Sequence, residues 1–220
     1  MKRRLLFILI PVLFTGCNFQ RSNEALRYHD DGREKPVVTI VPIFDRAQYN
    51  VSWDLSEELT KILRDKILKK GNLFLTSEEG TLSVISRLDE NQHPFDPECS
   101  WTKKVFNREQ FVAFLELIEH DISPRAVKAP FSEEVTSNYY LDMLMRVRVV
   151  DLRKETPEII LQEFVNYSHK IPKQGLEIDY EKNHFGKSSY LATPLAVAHR
   201  NLCKKVTQRL EDYILLAKSK

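Results

Sequence analysis

Glycine is scarce, with six in 220 residues, and two of those, Gly16 and Gly32, lie before the part that reads as folded. A phosphate-cradling loop needs several glycines close together, so that kind of nucleotide site is hard to build here. There is no marked excess of charge of either sign: the formal net charge is +2. Nucleic-acid binding wants a clear basic excess and finds none. Six histidines, His29, His93, His120, His169, His184 and His199, are scattered without a His-Glu-x-x-His motif or paired spacing, which predicts no metal site. They read as surface or locally bonded side chains. A Gly-x-Ser-x-Gly elbow is missing. Ser100-Trp101-Thr102-Lys103 fits Ser-x-x-Lys but lacks the partner motifs of penicillin-binding enzymes, and reads as chance. Glu116 and Glu119, three apart in a strand, should face opposite sides and so do not pair as acid and base. The expectation is a non-enzymatic protein with no catalytic residue, no cofactor and no metal. No repeat or low-complexity tract occurs, and 42% hydrophobic with 29% charged residues is ordinary globular composition.

Long hydrophobic runs are also short here. Lys2-Arg3-Arg4 precedes an apolar stretch from Leu5 to Phe14 that is ten residues long, about half the roughly 20 that a spanning helix needs. A basic start, a short apolar core and small residues at a cut site make a secretory signal. Leu13-Phe14-Thr15-Gly16-Cys17 is similar to a bacterial lipobox. That implies thioether lipidation of Cys17, cleavage between Gly16 and Cys17, and fatty acylation (palmitate-type) of the new N-terminus. Several acyl chains anchor a protein stably where one does not. Residues 1–16 then form the signal peptide, and the loss of Lys2, Arg3 and Arg4 takes the formal charge from +2 to −1. Asn18 follows the lipidated cysteine and is not the usual inner-membrane retention residue, which favours the outer membrane, on its periplasmic side. Only three cysteines are present. With Cys17 assigned to lipid, Cys99 and Cys203 remain. In an oxidising compartment they can pair; the alternative is two separate thiols, with Cys203 a small core residue on a helix.

Residues 17–35 are polar and read as a flexible tether, and 36–220 as one domain. Val37 to Phe44 is β-branched and apolar, a buried strand that Pro42 should end or confine to an edge. Asp54 and Glu57 have capping-box spacing, and Leu55, Leu59, Ile62, Leu63 and Ile67 make one helical stripe that closes at Lys69-Lys70-Gly71. Asn72 to Thr76 is a second strand, parallel to the first through a crossover. Glu78 to Gly80 reads as a turn and Thr81 to Leu88 as a strand, with a short helix as the rival. Residues 89–104 read as an irregular insertion. Phe111 to Ile122 is a strand that Pro124 should end, with a polar connection from Arg125 to Ser137. Tyr139 to Asp151 is the clearest strand: Leu141, Met143, Met145, Val147 and Val149 point one way, and Asp142, Arg146 and Arg148 the other. Glu158 to Tyr167 returns as a hairpin. Thr193-Pro194 starts a long final helix. The predicted fold class is α+β, a mixed or mostly antiparallel sheet with two main helices packed on one face.

The segment Leu117-Ile118-Glu119-His120-Asp121-Ile122-Ser123-Pro124-Arg125-Ala126-Val127, the alternating strand Leu141 to Val149 and the return Phe164-Val165-Asn166-Tyr167-Ser168 together resemble the lipopolysaccharide-assembly lipoprotein family (LptE-like). The opening strand, helix and strand and the lipobox fit as well. Looser strand–helix–strand similarity extends to the peptidoglycan-synthase activator and curli-secretion lipoproteins. The resemblance implies a non-enzymatic protein that docks into an outer-membrane β-barrel of lipopolysaccharide transport (LptD-like) and helps lipopolysaccharide reach the outer leaflet. Asp142, Arg146 and Arg148 would supply a polar face to a polar lumen, and the two arginines could meet lipid phosphates; the alternative is the solvated side of a sheet. Other functions remain open on the residues alone: a binding module that activates a cell-wall synthase, a secretion-pore accessory lipoprotein, or a hydrolase with a catalytic cluster that the sequence does not display.

Overall fold

A computed structural model describes residues 27–85, 92–128 and 135–219. The signal, Gly16, Cys17 and the first part of the predicted tether lie outside these residues. The part of the tether that is described is not open chain. Arg27 to Lys35 closes into a turn, with Tyr28 bridging Glu34, Lys35 N–H donating to the Arg27 carbonyl at 2.9 Å and Gly32 at φ +83°.

Strand β1 (Val37–Ile40) is fully buried. It leads through Val41 and Pro42 to the two-residue strand β2 (Phe44–Asp45) and then to helix α1 (Leu55–Lys70). Pro42 has no N–H for a ladder, which is why pairing breaks between β1 and β2. Both ends of α1 are built as the sequence indicates. The Asp54 carboxylate accepts from Ser56 and Glu57 N–H, and Gly71 takes the left-handed φ of 72° that a side chain would resist. Leu55, Leu59, Leu63 and Ile67 lie at no more than 2% exposure, each contributing roughly 1.5–3 kcal/mol by burial. Strand β3 (Phe74–Leu75) then pairs parallel to β1, as the crossover requires.

The described part of the strand expected over Thr81 to Leu88, residues 81–85, is not a strand; the rest lies outside the described residues. Helix α2 (Glu78–Ile85) stands there instead. Ser77 Oγ accepts the Gly80 N–H at 3.2 Å, and Glu78 and Glu79 fill the first turn, a helix start whose local chemistry outweighs the alternation of Leu82, Val84 and Leu88. The predicted insertion contains a one-turn helix, α3 (Trp101–Val105).

Three long strands make the rest of the sheet: β4 (Phe111–Lys128), β5 (Val135–Asp151) and β6 (Glu158–Ile171). The order is β3-β1-β4-β5-β6, with β2 also beside β4. The β1, β2 and β3 pairings are parallel and β4-β5-β6 is antiparallel, so the sheet is mixed. Pro124 does not end β4. It lies opposite Tyr139, beyond Leu117, where β2 has run out and β4 has a neighbour on one side only. On such a free edge a missing N–H is tolerated.

After the short helix α4 (Lys173–Leu176) and a 3-10 turn (Ser188–Ala192), helix α5 (Pro194–Lys218) begins with Thr193 Oγ1 accepting the Ala196 N–H. α1 and α5 lie together on one face of the sheet and bury the main core with Leu141, Met143, Met145, Val147 and Val149. On the opposite face a smaller core of Phe95, Phe106, Phe114, Val112 and Val150 sits under α3 and the segment before it. The α+β class and the two main helices on one face are as the sequence indicated.

Candidate functional site

Every second residue of β5, namely Asp142, Leu144, Arg146, Arg148 and Val150, faces away from α1 and α5. The three polar members expected to form one exposed face do three different things. Arg148 is 2% exposed. Its Nη1 donates to the carbonyls of Pro94 and Asp96 at 2.8 and 2.6 Å, its Nη2 to that of Phe95 at 3.0 Å, and its Nε to Gln162 Oε1 at 2.8 Å. Burial first, and the neighbouring Arg146 second, lower its pKa from the ordinary arginine value. It is therefore not a partner-facing residue but the post that holds the 93–97 segment on the sheet. Arg146 stands at the border. Its guanidinium lies 4.4 Å above the Phe95 ring and 5.9 Å from that of Phe164, with Nη1 3.7 Å from Glu116. Glu116 is held at 2.6 Å by Arg46.

Asp142 lies further out. Its carboxylate takes Arg125 at 2.5 and 2.6 Å and the Ser123 hydroxyl at 3.2 Å. Burial raises its pKa, but hydrogen bonds from Ser168, Arg125 and Ser123 outweigh that and hold it below the usual carboxylate value. Glu119, Arg125, Asp142, Leu144, Asn166 and Ser168 line a shallow cleft of about 430 Å³ at this end. The outer face of the sheet thus changes character at Arg146: apolar and covered on one side, polar and bare on the other.

A bulge explains a further departure. Between Leu117 and Glu119 the register with β5 shifts by one, which flips every later side chain. Glu119 consequently pairs with Leu144 and shares the outer face with Glu116, contrary to the expected opposition, while His120 pairs with Met143 and turns inward.

That inward turn completes a buried polar cluster which the sequence reading did not assemble. Glu58 on α1 is fully buried. Its Oε1 accepts from the Tyr190 hydroxyl at 2.6 Å and from His199 Nδ1 at 2.8 Å, and its Oε2 from Trp53 Nε1 at 2.7 Å. His199 Nε2 lies 2.8 Å from His120 Nε2, and the Tyr49 ring packs on His120 at 4.2 Å. Burial opposes the charge on Glu58, but hydrogen bonds from His199, Tyr190 and Trp53 hold its pKa below the ordinary value. Burial, then repulsion by His199, pushes His120 down to about 3. Burial and the Glu58 carboxylate push the Tyr190 hydroxyl up. A carboxylate orienting an imidazole is the geometry of a catalytic base, yet Glu58, His199, His120 and Tyr190 are each 5% exposed or less. The cluster ties α1, α5, β4 and the 3-10 turn together in the core. One sequence signal pointed to it: His199 falls on the apolar stripe of α5, between Leu195 and Leu202.

Of the two alternatives for Cys99 and Cys203, a bridge or separate thiols, the structure has the second: both thiols are free. Cys203 is buried among the core residues between α1 and α5, 3.7 Å from the Leu59 carbonyl, whereas Cys99 packs on the smaller core across the sheet. Among the described residues no group of three His, Cys, Asp or Glu side chains could hold a metal ion, and no helix is long and apolar enough to cross a membrane.

Among solved structures the chain is similar to the hypothetical protein CT253 from Chlamydia trachomatis, with a TM-score of 0.61 and 20% identity over 82% of this chain and 98% of that one. At that identity the likeness is one of fold. Looser superpositions reach the lipoprotein GNA1162 from Neisseria meningitidis (TM-score 0.40, 11% identity, 64% of this chain and 89% of that one) and the LpoB C-terminal domain from Salmonella enterica (0.35, 15%, 66% and 90%). No curated protein matches. A family model does match, over residues 24–218, and the chain therefore belongs to that family, described as a family of unknown function (DUF7499).

Proposed function

We propose that this protein is an envelope lipoprotein, held to the outer membrane by lipid on Cys17, that works by contact rather than turnover. Its bare sheet end docks onto an outer-membrane β-barrel of lipopolysaccharide transport. The observation that carries the docking reading is the change at Arg146. Beyond it, β4, β5 and β6 continue as an arm whose outer face is polar, with Asp142 and Arg125 paired there and Phe164 61% exposed at its margin. A polar, internally paired face suits the polar interior of a large barrel, and one exposed aromatic beside an arginine is the kind of anchor that interfaces favour. The tether rests on Leu13 to Cys17 and the lipopolysaccharide partner on the sequence resemblance. Contact rather than turnover is supported by the sealing of Glu58, His199 and His120 away from any substrate.

The test places a photo-crosslinking phenylalanine analogue at Phe164 in intact envelopes, with the same analogue at the covered Trp101 as control. A crosslink from position 164 to an outer-membrane β-barrel, absent from position 101, is the expected result. Recovery of a cell-wall synthase with no barrel overturns the docking reading. Labelled palmitate incorporated by the native chain but not by Cys17→Ser tests the anchor; unprocessed, unlabelled protein in the cytosol overturns it.

A further inference from the structure

α1 and α5 run side by side in the same direction, since Glu58 meets His199 near their starts and Lys70 meets Glu211 near the end of α1. The stripes that face the sheet are apolar. On the rest of the helix surface, cations outnumber exposed acids. Lys66 and Lys69 project from the last turns of α1, and Arg200 and Lys204 from the first turns of α5; Lys69 and Lys204 are exposed and the other two half-buried. They are close enough to repel one another: partial burial first, then Arg200, Lys69 and Lys204, lower the Lys66 ammonium from its ordinary value. Acids on the two helices are fewer. Glu211 is buried and taken by Lys70 at 2.5 Å, and the exposed acids of the two helices are Glu57, Asp65 and Asp212. Beside the cations stands an apolar side chain. Arg200 Nη2 donates to the Leu191 carbonyl at 2.8 Å, and Leu191 is 59% exposed.

The tether leaves from the end of the domain at which α1 closes, beside Lys69. Pro36 accepts the Phe74 N–H at 2.9 Å, and Phe74 follows closely on Lys69, Lys70 and Gly71; the turn from Arg27 to Lys35 returns the chain to this point. Nine residues, Asn18 to Leu26, separate Arg27 from Cys17, and nine extended residues reach about 30 Å at most. A domain anchored at Cys17 is therefore kept within a few nanometres of its bilayer, with the Lys69 end of the basic helical face nearest the anchor and Arg200 and Leu191 toward the far end.

We infer that Lys66, Lys69, Arg200 and Lys204, with Leu191 beside them, form the face on which the folded domain rests against the anionic lipid surface of its own membrane. The inference deepens the lipoprotein reading and rests on it for the presence of the bilayer. Cations with an adjoining exposed leucine are what an anionic interface recognises: phosphate charge attracts the first and the acyl boundary accepts the second. Seated this way, the domain holds the opposite sheet face, including the cleft at Asp142, turned from the bilayer and free for a protein partner.

Vesicle co-sedimentation tests the face apart from the anchor. The mature chain carrying Cys17→Ser has no acyl group, so binding reports the protein surface alone. It should bind mixed phosphatidylcholine–phosphatidylglycerol vesicles, not pure phosphatidylcholine, and release at high salt. Each basic residue near an anionic surface is worth about 1 kcal/mol and 1.4 kcal/mol is tenfold, so Lys69→Gln/Arg200→Gln/Lys204→Gln should weaken binding about 100-fold. The double variant Lys69→Gln/Lys204→Gln keeps the Arg200–Leu191 bond and should lose about 30-fold, which separates charge from any disturbance of the 3-10 turn. Lys104→Gln/Lys154→Gln/Lys170→Gln changes the net charge equally on other surfaces and should bind as the parent does. Equal losses in both triple variants, or no preference for phosphatidylglycerol, overturn the inference. Palmitate labelling of the native chain reads the anchor separately, so either claim can fail alone.

Discussion

His120 shows how one imidazole is set by its surroundings. Its ring lies between His199 on α5 and Tyr49 in the loop before α1, with Asp121 as the neighbouring acid on its own strand. Burial and His199 hold its pKa at about 3, against an ordinary 6.5. The unfolded chain therefore takes up a proton below 6.5 that the folded chain refuses. The stability this group confers is complete above 6.5 and is lost progressively as pH falls toward 3. From about pH 6.5 to 5, above the range in which most carboxylates titrate, the loss should be roughly 1.5 kcal/mol, read from urea midpoints at fixed salt. His120→Leu should remove most of that slope, whatever it does to stability at neutral pH. His169, also held below its ordinary value by burial, leaves a residual slope of the same sign. An unchanged slope in the variant would mean that His120 titrates in the folded protein as it does in water. None of this was legible from residues 111 to 122. Counted in twos along a regular strand, His120 belongs on the outer face, and only the bulge at Ile118 turns it inward.

At the scale of elements, the helices and the long strands were readable and their exceptions were local. The caps of α1 and α5 are written in Asp54, Gly71, Thr193 and Pro194, because cap chemistry acts over a few residues. The β5 alternation was equally plain, since a sheet with one face on a core demands period two. The end of β4 could not be read from Pro124, because whether a proline breaks a strand depends on whether a neighbour needs its N–H. The role of Arg148 lay further from reach, as the carbonyls it binds are more than 50 residues away. Arg148→Met should strip the donors from Pro94, Phe95 and Asp96, at a cost of about 3 kcal/mol or more. Hydrogen exchange should show amides of the 93–106 segment losing protection while the β4–β5 ladder keeps its own, and Trp101, 5.8 Å from Phe114, should shift its emission to the red. Arg146→Met, at a half-exposed site with stacking and one long ion pair, should change stability by no more than about 1 kcal/mol. Equal effects of the two variants would contradict the division of the outer face.

Over the whole molecule the sheet is a partition. It keeps Cys203 with the two helices and Cys99 with the smaller core on the other side. Alkylation of the native protein followed by peptide mapping should modify Cys99 and leave Cys203 untouched until denaturant is added. Cys203 lies fully buried, and burial pushes its thiol up, while Cys99 is partly open. A linked Cys99–Cys203 peptide from non-reduced protein would require a different arrangement of the two layers. The same partition gives the molecule two unlike exteriors, a basic helical face on one side of the sheet and a polar sheet end on the other. The amino-acid sequence by itself determined the lipobox-like start, the capped helices, the period-two strands and hence the α+β class, because each of these follows from neighbours within a few residues. Only the tertiary structure decided which polar residues are exposed and which are posts, that Glu58, His199 and His120 meet, that the two cysteines stay apart, and that four cations from two helices share one face. Each of those outcomes depends on a strand register or a helix direction that brings together residues tens of positions apart, and no local pattern specifies it.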